Sequence, residues 1–471
     1  MKRRDFLLSA CGAAASFASA QPARRRPNII MILCDDLGYG DLGCYGNRII
    51  HTPNIDQFAR EGARFTQFYV TSPVCSPSRA AIMTGRYPQW FGIHSADVPE
   101  TTHRMGLPAS AVTIGKVLQS AGYYTAHIGK WHLGEPPDFP HPLDMGFDYF
   151  FGLMGGRPSS SWLQYARSMD PEVVLNRERP KVYKGHVTDV ETEGALDVIE
   201  KRPSGKPLFL NLWYHAPHEP LAPMPNQADL YKFWSGPEQV YYQTVTGIDL
   251  GVGRILRKLE ETGMARDTLV FFTSDNGPET HNFEYSRGAS APLKGMKSQV
   301  WEGGIRMPGI LRWPGVVPAN LVTRTIAGTL DLFPTFAAAA GARIPNAGEL
   351  DGGTDLVRAL RRKDELATRP LFFEFRFPQQ RGVIPQSLPM AVRKGRWKLF
   401  TSEDFQKVAL YDLDTDAGEE NDIAPARAAV VAELKPLLVK WRAGFPEYKG
   451  PPGQKVETPP WEELEKRYYH E

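Results

Sequence analysis

Apolar positions along the chain fall into short solid runs separated by stretches with helical periodicity. That alternation predicts an α/β fold with a mostly parallel sheet flanked by helices. The run Asn28-Ile29-Ile30-Met31-Ile32-Leu33-Cys34 has no polar alternation, so it reads as a strand buried on both faces. Further strands are predicted over 124–128, 207–213 and 268–273. Pro53 to Gly62 places Ile55, Phe58 and Ala59 on one helical face, and Thr113 caps a helix that buries Ile114, Val117, Leu118 and Ala121 and stops at Gly122. A longer helix over 243–261 turns Val245, Ile248, Val252, Ile255, Leu256 and Leu259 inward. After about residue 365 the texture changes. Strands predicted over 370–375, 390–400 and 407–413 precede a helix over 424–441 with Val430, Leu434, Leu437, Leu438 and Trp441 as its stripe. The expected organisation is a main domain over 21–365 and a smaller α+β domain over 366–471, with a proline- and charge-rich tail from Gly450.

Residues 1–20 stand apart. Arg3-Arg4-Asp5-Phe6-Leu7-Leu8 and the alanine-rich stretch behind it resemble a twin-arginine export signal, and Ala18-Ser19-Ala20 has the spacing of a cleavage site. Leu8-Ser9-Ala10-Cys11 also fits a lipoprotein box, although the apolar stretch before Cys11 is very short. The expectation is an exported protein, periplasmic or secreted, with a lipid anchor at Cys11 as the alternative. No other segment is long and apolar enough to span a bilayer. Lys2, Arg3, Arg4 and Asp5 account for the whole formal charge of +2, so the mature chain is neutral, which argues against nucleic acid as a partner. Cys34, Cys44 and Cys75 remain and form no disulfide framework. Cys34 lies in an apolar run and reads as core.

Chemistry collects at the predicted strand ends. Asp35-Asp36 follows the first strand, Gly129-Lys130-Trp131-His132 the second, His215 the third and Ser274-Asp275-Asn276-Gly277 the fourth. In open parallel sheets ligands bind beyond the carboxyl ends of strands, so residues spread over 240 positions converge on one rim. Asp35, Asp36, Asp275 and the amide oxygen of Asn276 offer hard oxygen donors that suit Ca²⁺, or Mg²⁺, rather than Zn²⁺. Arg79, Lys130, His132, His215 and Lys294 add cationic and titratable groups, which together surround something strongly anionic. These residue types point to a hydrolase of sulfate or phosphate esters. The string Cys75-Ser76-Pro77-Ser78-Arg79 places a thiol at the start of a helix that ends at Gly85, with Arg79 on the same face. Such a thiol is either an anion-facing group or a buried core cysteine, and spacing alone leaves both open.

Cys-x-Pro-x-Arg followed by Thr84-Gly85-Arg86 resembles the signature of the type I sulfatases. Asn28 to Gly43, Gly129 to Gly134, Thr273 to Gly277, Glu302-Gly303-Gly304-Ile305-Arg306, Asp331-Leu332-Phe333-Pro334-Thr335 and Leu410-Tyr411-Asp412-Leu413 extend the resemblance over nearly the whole mature chain. The chain is most similar to the arylsulfatase A and N-acetylgalactosamine-6-sulfatase group. The resemblance implies an alkaline-phosphatase-like α/β domain with a smaller C-terminal α+β domain. It implies that a formylglycine-generating or sulfatase-maturating enzyme oxidises Cys75 to formylglycine, and that this residue, Asp35, Asp36, Asp275 and Asn276 hold one Ca²⁺. It also implies catalytic roles: Arg79 holds the hydrated aldehyde, Lys130 and Lys294 neutralise the sulfate, His215 protonates the leaving alcohol and His132 acts as base. One departure is that Gly152 is followed by Leu153, Met154, Gly155 and Gly156 where relatives often carry a polar residue, leaving Arg157 or Ser159 to substitute.

The implied substrate is a sulfated carbohydrate of the galactose or N-acetylgalactosamine type. His94, Asp97, His103, Arg104, Arg157, His218, Glu219, His281 and Arg287 are loop candidates for binding it, and Trp90, Trp162 and Trp234 are candidates for stacking on sugar rings. The rival readings are a phosphonate or phosphate ester hydrolase of the same superfamily and a non-catalytic carbohydrate-binding relative. The second would have lost a ligand or the nucleophile, and neither is missing here.

Overall fold

The computed structural model describes residues 26–95, 105–136, 138–155, 168–279, 288–362, 369–376 and 386–446. The export segment, the domain boundary near 365 and the tail from Gly450 lie outside them. Strands in chain order are β1 (Asn28–Cys34), β2 (Ala63–Tyr69), β3 (Tyr124–Lys130), β4 (Tyr149–Leu153), β5 (Glu172–Leu175), β6 (Lys181–Val182), β7 (Leu208–Trp213), β8 (Thr268–Ser274), β9 (Arg306–Arg312), β10 (Leu321–Thr323), β11 (Ala327–Gly328), β12 (Leu371–Glu374), β13 (Met390–Lys394), β14 (Trp397–Thr401) and β15 (Val408–Asp412).

Eleven of these form one sheet in the order β10-β2-β9-β8-β1-β7-β3-β4-β5-β6, with β11 beside β2. Its centre, β8-β1-β7-β3-β4, is parallel throughout, and β9 runs antiparallel to both neighbours. The solid apolar runs are explained by the two layers of helix around this centre. Ile29, Met31 and Leu33 join a core that includes Val117, Leu118, Phe333 and Phe336. Ile30, Ile32 and Cys34 face the other way, towards Phe58, Val198, Val245 and Ile255. Each such aliphatic side chain contributes about 1.5–3 kcal/mol relative to exposure, and both faces of β1 collect it.

Most predicted elements appear within a residue or two of their expected bounds, and two differ instructively. The helix Gly236–Glu261 starts seven residues before the apolar periodicity, because Ser235 is extended and Pro237 suits the first turn while the opening turns show no apolar stripe. The strand expected over 390–400 is a hairpin, since Gly395 takes a positive φ of 59° and Lys394 pairs with Trp397 across the turn.

The C-terminal unit is an antiparallel sheet, β12-β13-β14-β15, backed by the helix Ala428–Ala443. Its inner face meets the large domain through Phe373, Ala391, Phe400 and Tyr411, which pack on Tyr69, Val300, Trp301 and Ile305. Within this apolar seam lies a closed set of charges. Lys398 Nζ is 3.0 Å from Glu302 Oε1 and 2.8 Å from Glu419 Oε1, all fully buried, and Tyr69 donates to Glu302 Oε2 at 2.6 Å. Removing one member of such a pair leaves its partner charged and dry, a loss of about 3–5 kcal/mol.

Candidate active site

Four strands of the parallel centre end level with one another. Asp35 and Asp36 follow β1, Asp275 and Asn276 follow β8, Lys130 closes β3, and His215 lies two residues past β7. The register sets Cys34 beside Ser274 and Leu33 beside Trp213, and the main chain stays zipped beyond the strand ends. Asp275 N donates to Cys34 O and Asp35 N to Ala216 O, each at 3.1 Å. The helix Cys75–Thr84 brings its first residue to the same rim. It begins there because Val74 is extended, and it ends at Gly85, whose φ of 65° suits glycine. Arg79 lies one turn along on the same face.

Side chains at the rim interlock. Cys75 Sγ donates to Asp35 Oδ1 at 3.2 Å, and Lys130 Nζ to Asp35 Oδ2 at 2.5 Å. Arg79 donates from Nε to Asp275 Oδ2 at 2.8 Å and from Nη1 to Lys130 O at 2.7 Å, with its guanidinium 5.2 Å from the Trp213 ring. Lys297 Nζ donates to Asp36 Oδ2 at 2.7 Å, and Asn276 Nδ2 to Asp36 Oδ1 at 2.6 Å. His218 Nε2 stands 3.7 Å from Asp36 Oδ2. Donor atoms of Asp35, Asp36, Cys75 and His218 all lie within 4.8 Å of one another. Asp36, His132 and Ser298 hold positive φ angles of 66°, 57° and 66°. For non-glycine residues this is a strain of order 1–3 kcal/mol each, of the kind that accumulates at functional sites.

Burial alone would push Asp35 up, yet Lys130, His218, Arg79 and Lys297 hold it well below its ordinary value. Asp275 goes the other way: burial, with Asp35 adding, pushes it up to about 7 against Arg79. Burial also raises Asp36, and it raises the Cys75 thiol well above its usual range, with Asp35 adding. His218 is held well below its ordinary value by burial and Lys297, and His215 by burial and His218. Glu191, on the helix Val187–Lys201, accepts from His215 N at 3.1 Å, and burial pushes it up to about 8.

The donor set fits a hard divalent cation. Three buried carboxylates and an amide converge, and Asn276 Oδ1 is buried with no hydrogen-bond partner among the described residues. The three aspartates are already balanced by Arg79, Lys130 and Lys297, all buried, so an added divalent ion leaves the rim positive and ready for an anion.

The rim unites Asp35, Asp36, Cys75, Arg79, Lys130, Asp275 and Asn276, and two other expected residues, Lys294 and His215, make no direct contact with this group. Lys294 points away, its Nζ donating to Glu419 O at 3.0 Å and lying 4.6 Å from the Trp301 ring centre, whereas Lys297 reaches Asp36. Both lysines sit in a loop without periodicity, so spacing could not choose between them. His218, read from sequence as a substrate-loop residue, stands among the ligands, while His215 is 5% exposed and contacts the site through the His218 ring, 5.4 Å away. His132 follows β3, its backbone N bonded to Met154 O at 2.9 Å. Trp90 is a packing residue rather than a free stacking platform, with Nε1 donating to Asp351 at 3.1 Å and its ring edge-on to Phe445. Trp234 is likewise edge-on to Tyr242. His94 is buried, and burial holds it down to about 4. Asp97, His103, Arg104, Arg157, Ser159, Trp162, His281 and Arg287 lie outside the described residues. Cys34 and Cys44 are free thiols.

The family model Sulfatase matches residues 27–342, and the model N-sulphoglucosamine sulphohydrolase, C-terminal, matches 296–444. Arylsulfatase A of Bos taurus is 34% identical over 92% of this chain and 90% of its own. N-acetylgalactosamine-6-sulfatase of Homo sapiens is 35% identical over 75% of this chain and 69% of its own. Among solved structures, Ps i-CgsB in complex with k-i-k-neocarrahexaose superposes with a TM-score of 0.78 at 30% identity, covering 94% of this chain and 97% of that one. The phosphonate monoester hydrolase of Agrobacterium radiobacter, at 20% identity and a TM-score of 0.64 over 89% and 96% of the two chains, shares the fold.

Proposed function

Because the chain belongs to the sulfatase family, and is therefore a sulfuric ester hydrolase, we propose that it releases inorganic sulfate from a sulfated carbohydrate through a formylglycine at position 75. The observation that carries this reading is the position of Cys75: first residue of its helix, 3.2 Å from Asp35, within a rim whose cations balance its carboxylates before any metal is added. Similarity to N-acetylgalactosamine-6-sulfatase and to a structure holding a neocarrahexaose supports a sulfated sugar of the galactose or N-acetylgalactosamine type. A formylglycine-generating or sulfatase-maturating enzyme is the partner that oxidises Cys75. Export to the periplasm or beyond places such an enzyme where polysaccharide fragments are met.

Asp35, Asp36, Asp275, Asn276 and residue 75 would hold Ca²⁺, with Mg²⁺ as the alternative. Bound there, the ion supplies positive charge that acidifies a hydroxyl of residue 75 and withdraws charge from the sulfate oxygens. Arg79 braces the carboxylates from below, since its guanidinium is engaged with Asp275 and the Lys130 carbonyl. Lys130 and Lys297 face the anion. One hydroxyl of the hydrated aldehyde gives up its proton to solvent and its oxygen attacks sulfur, the ester S–O bond breaks, and the alcohol leaves with a proton from His218. Burial, and after it Lys297, disfavours a protonated His218, and an anion docked against Lys297 offsets the second of these, which favours the protonated form that step needs. His132 then takes the proton of the remaining hydroxyl. The carbon–oxygen bond to sulfate breaks, the carbonyl re-forms, and water rehydrates it. A serine or an unmodified cysteine cannot expel sulfate this way.

The test is a screen of the calcium-loaded enzyme on sulfated galactose and N-acetylgalactosamine sugars beside the matching phosphates. The reading expects kcat/KM for a sulfate ester well above that for its phosphate. Equal or higher efficiency on phosphate or phosphonate esters would overturn it.

A further inference from the structure

Lys297 is a rim cation carried by neither a strand nor a helix. It belongs to the segment 294–302, which is caught between two bodies. On the side of the large sheet, Lys297 N donates to Pro278 O at 3.1 Å and Ser298 N to Pro73 O at 2.9 Å, two residues before Cys75. On the other side, grips come from the C-terminal unit. Val300 N donates to Ser387 Oγ at 2.9 Å and Glu302 N to Glu419 Oε2 at 2.7 Å. Lys398 Nζ donates to Val300 O at 2.8 Å and to Glu302 Oε1 at 3.0 Å, and pairs with Glu419. Its ammonium group is thus engaged by two hydrogen bonds and one ion pair, all in the seam. Trp301 packs 4.8 Å from Phe400 and 5.7 Å from Tyr411.

The segment needs such a grip. Ser298, the residue after Lys297, has a φ of 66°, a conformation that a serine keeps only when its surroundings impose it. Within the segment Gln299 N donates to Met296 O at 3.1 Å, closing a turn over Lys297 and Ser298 that suits this φ. That turn is anchored by Pro73 O on one side and, two to four residues on, by the Ser387, Lys398 and Glu419 contacts on the other.

We propose that Lys398 and Glu419 are positioning residues for the reaction. Through Val300 and Glu302 they fix the backbone that aims Lys297 at Asp36 and the sulfate, so the C-terminal unit is a working part of the active site. The proposal rests on the reading of Lys297 as a sulfate-binding group. It also gives Lys294 a role: with Nζ on Glu419 O, it ties the start of the same segment to the same unit.

A double-mutant cycle on the calcium-loaded full chain tests this, with inorganic sulfate as the probe and calorimetry as the readout. Lys398→Met is expected to weaken sulfate binding about tenfold in the wild-type background and to have almost no effect once Lys297→Met is present, the non-additivity of a residue acting through another. Equal effects of Lys398→Met in both backgrounds would show a purely structural role and overturn the proposal. Ser387→Ala leaves every buried charge in place and carries the cycle if Lys398→Met does not fold. It should weaken sulfate by about threefold, the scale of one hydrogen bond, at an unchanged unfolding temperature. No change in sulfate binding with Ser387→Ala would also count against it. Failure of wild type to bind sulfate or hydrolyse a sulfate ester would instead overturn the sulfatase reading, so the two failures are distinguishable.

Discussion

Two sets of buried charge flank the segment 294–302, and they are built differently. At the seam with the C-terminal unit, Glu302 and Glu419 are answered by Lys398, with Arg393 Nη1 3.9 Å from Glu302 and Tyr69 donating to the same carboxylate. That set is sealed in an apolar shell, although Glu419 Oε1 and Arg393 Nε, like one rim atom, lack hydrogen-bond partners among the described residues. At the rim of the large sheet, Asp35, Asp36 and Asp275 are answered by Arg79, Lys130 and Lys297, yet Asn276 Oδ1 is left without a partner, and Asp36 and His132 carry left-handed backbone. Balanced charge therefore does different work in the two places. The seam set holds a surface together, whereas the rim set carries left-handed backbone and, in the proposed reading, takes a cation and an anion.

The comparison breaks most visibly through the metal. Asp275→Ala is expected to remove stoichiometric calcium, measured by atomic emission, and to lower kcat/KM by about 10³-fold or more, the scale of lost preorganised charge. Retained calcium with lost activity would mean that Asp275 is not a ligand. Full activity restored by zinc in place of calcium would contradict the oxygen donor set.

The two histidines sharpen it next. His218→Ala should cost about 10²-fold or more with an alkyl sulfate and much less with an aryl sulfate, whose leaving group needs little protonation. His215→Ala should show no such dependence on the leaving group. The reverse pattern would return the acid role to His215.

Stability separates the two sets directly. Lys398→Met should lose about 3–5 kcal/mol in denaturant unfolding because it strands buried Glu302 and Glu419. Asp36→Asn in metal-free protein should lose less, since burial already disfavours the charged Asp36, an amide oxygen can still accept from Lys297, and Glu279 remains 3.7 Å from that lysine. Similar losses in both would erase the distinction.

The smallest effect is a pH slope. Glu191 is raised from 4.5 to about 8 by burial, so the folded chain holds a proton that the unfolded chain has released. Stability from this group is complete below pH 4.5 and falls as pH rises to about 8, at no more than about 1.4 kcal/mol per unit. Glu191→Gln removes that slope, so the variant should gain on wild type across this window and run parallel above it. A constant difference from pH 4.5 to 8 would contradict the assignment.

Much of the rim was legible because apolar runs stop at chemistry: β1 ends one residue before Asp35, β8 one before Asp275, and β3 ends on Lys130 itself. Loop placements were not. Lys294 and Lys297 are three apart in a segment without periodicity, and His215 and His218 bracket Ala216-Pro217, so only the fold decides which of each pair turns inward. The seam was invisible for another reason. Lys398 meets Glu302 across 96 positions, and a buried charge looks in sequence like any surface charge. The hairpin within 390–400 was missed although Arg393-Lys394-Gly395-Arg396 separates Met390-Ala391-Val392 from Leu399-Phe400, because a lone glycine between charged residues does not by itself specify a turn.

In the proposed reaction the working residue at position 75 is an aldehyde and not a thiol. The most direct test is the fraction of the Cys75 peptide that has lost H₂S and gained an oxygen, measured by mass spectrometry on preparations matured to different extents. Sulfate release per molecule of protein is measured on the same samples. The expected result is a straight line through the origin, with hydrazide treatment abolishing activity in proportion. Full turnover from a preparation carrying only the thiol at position 75 would contradict the account.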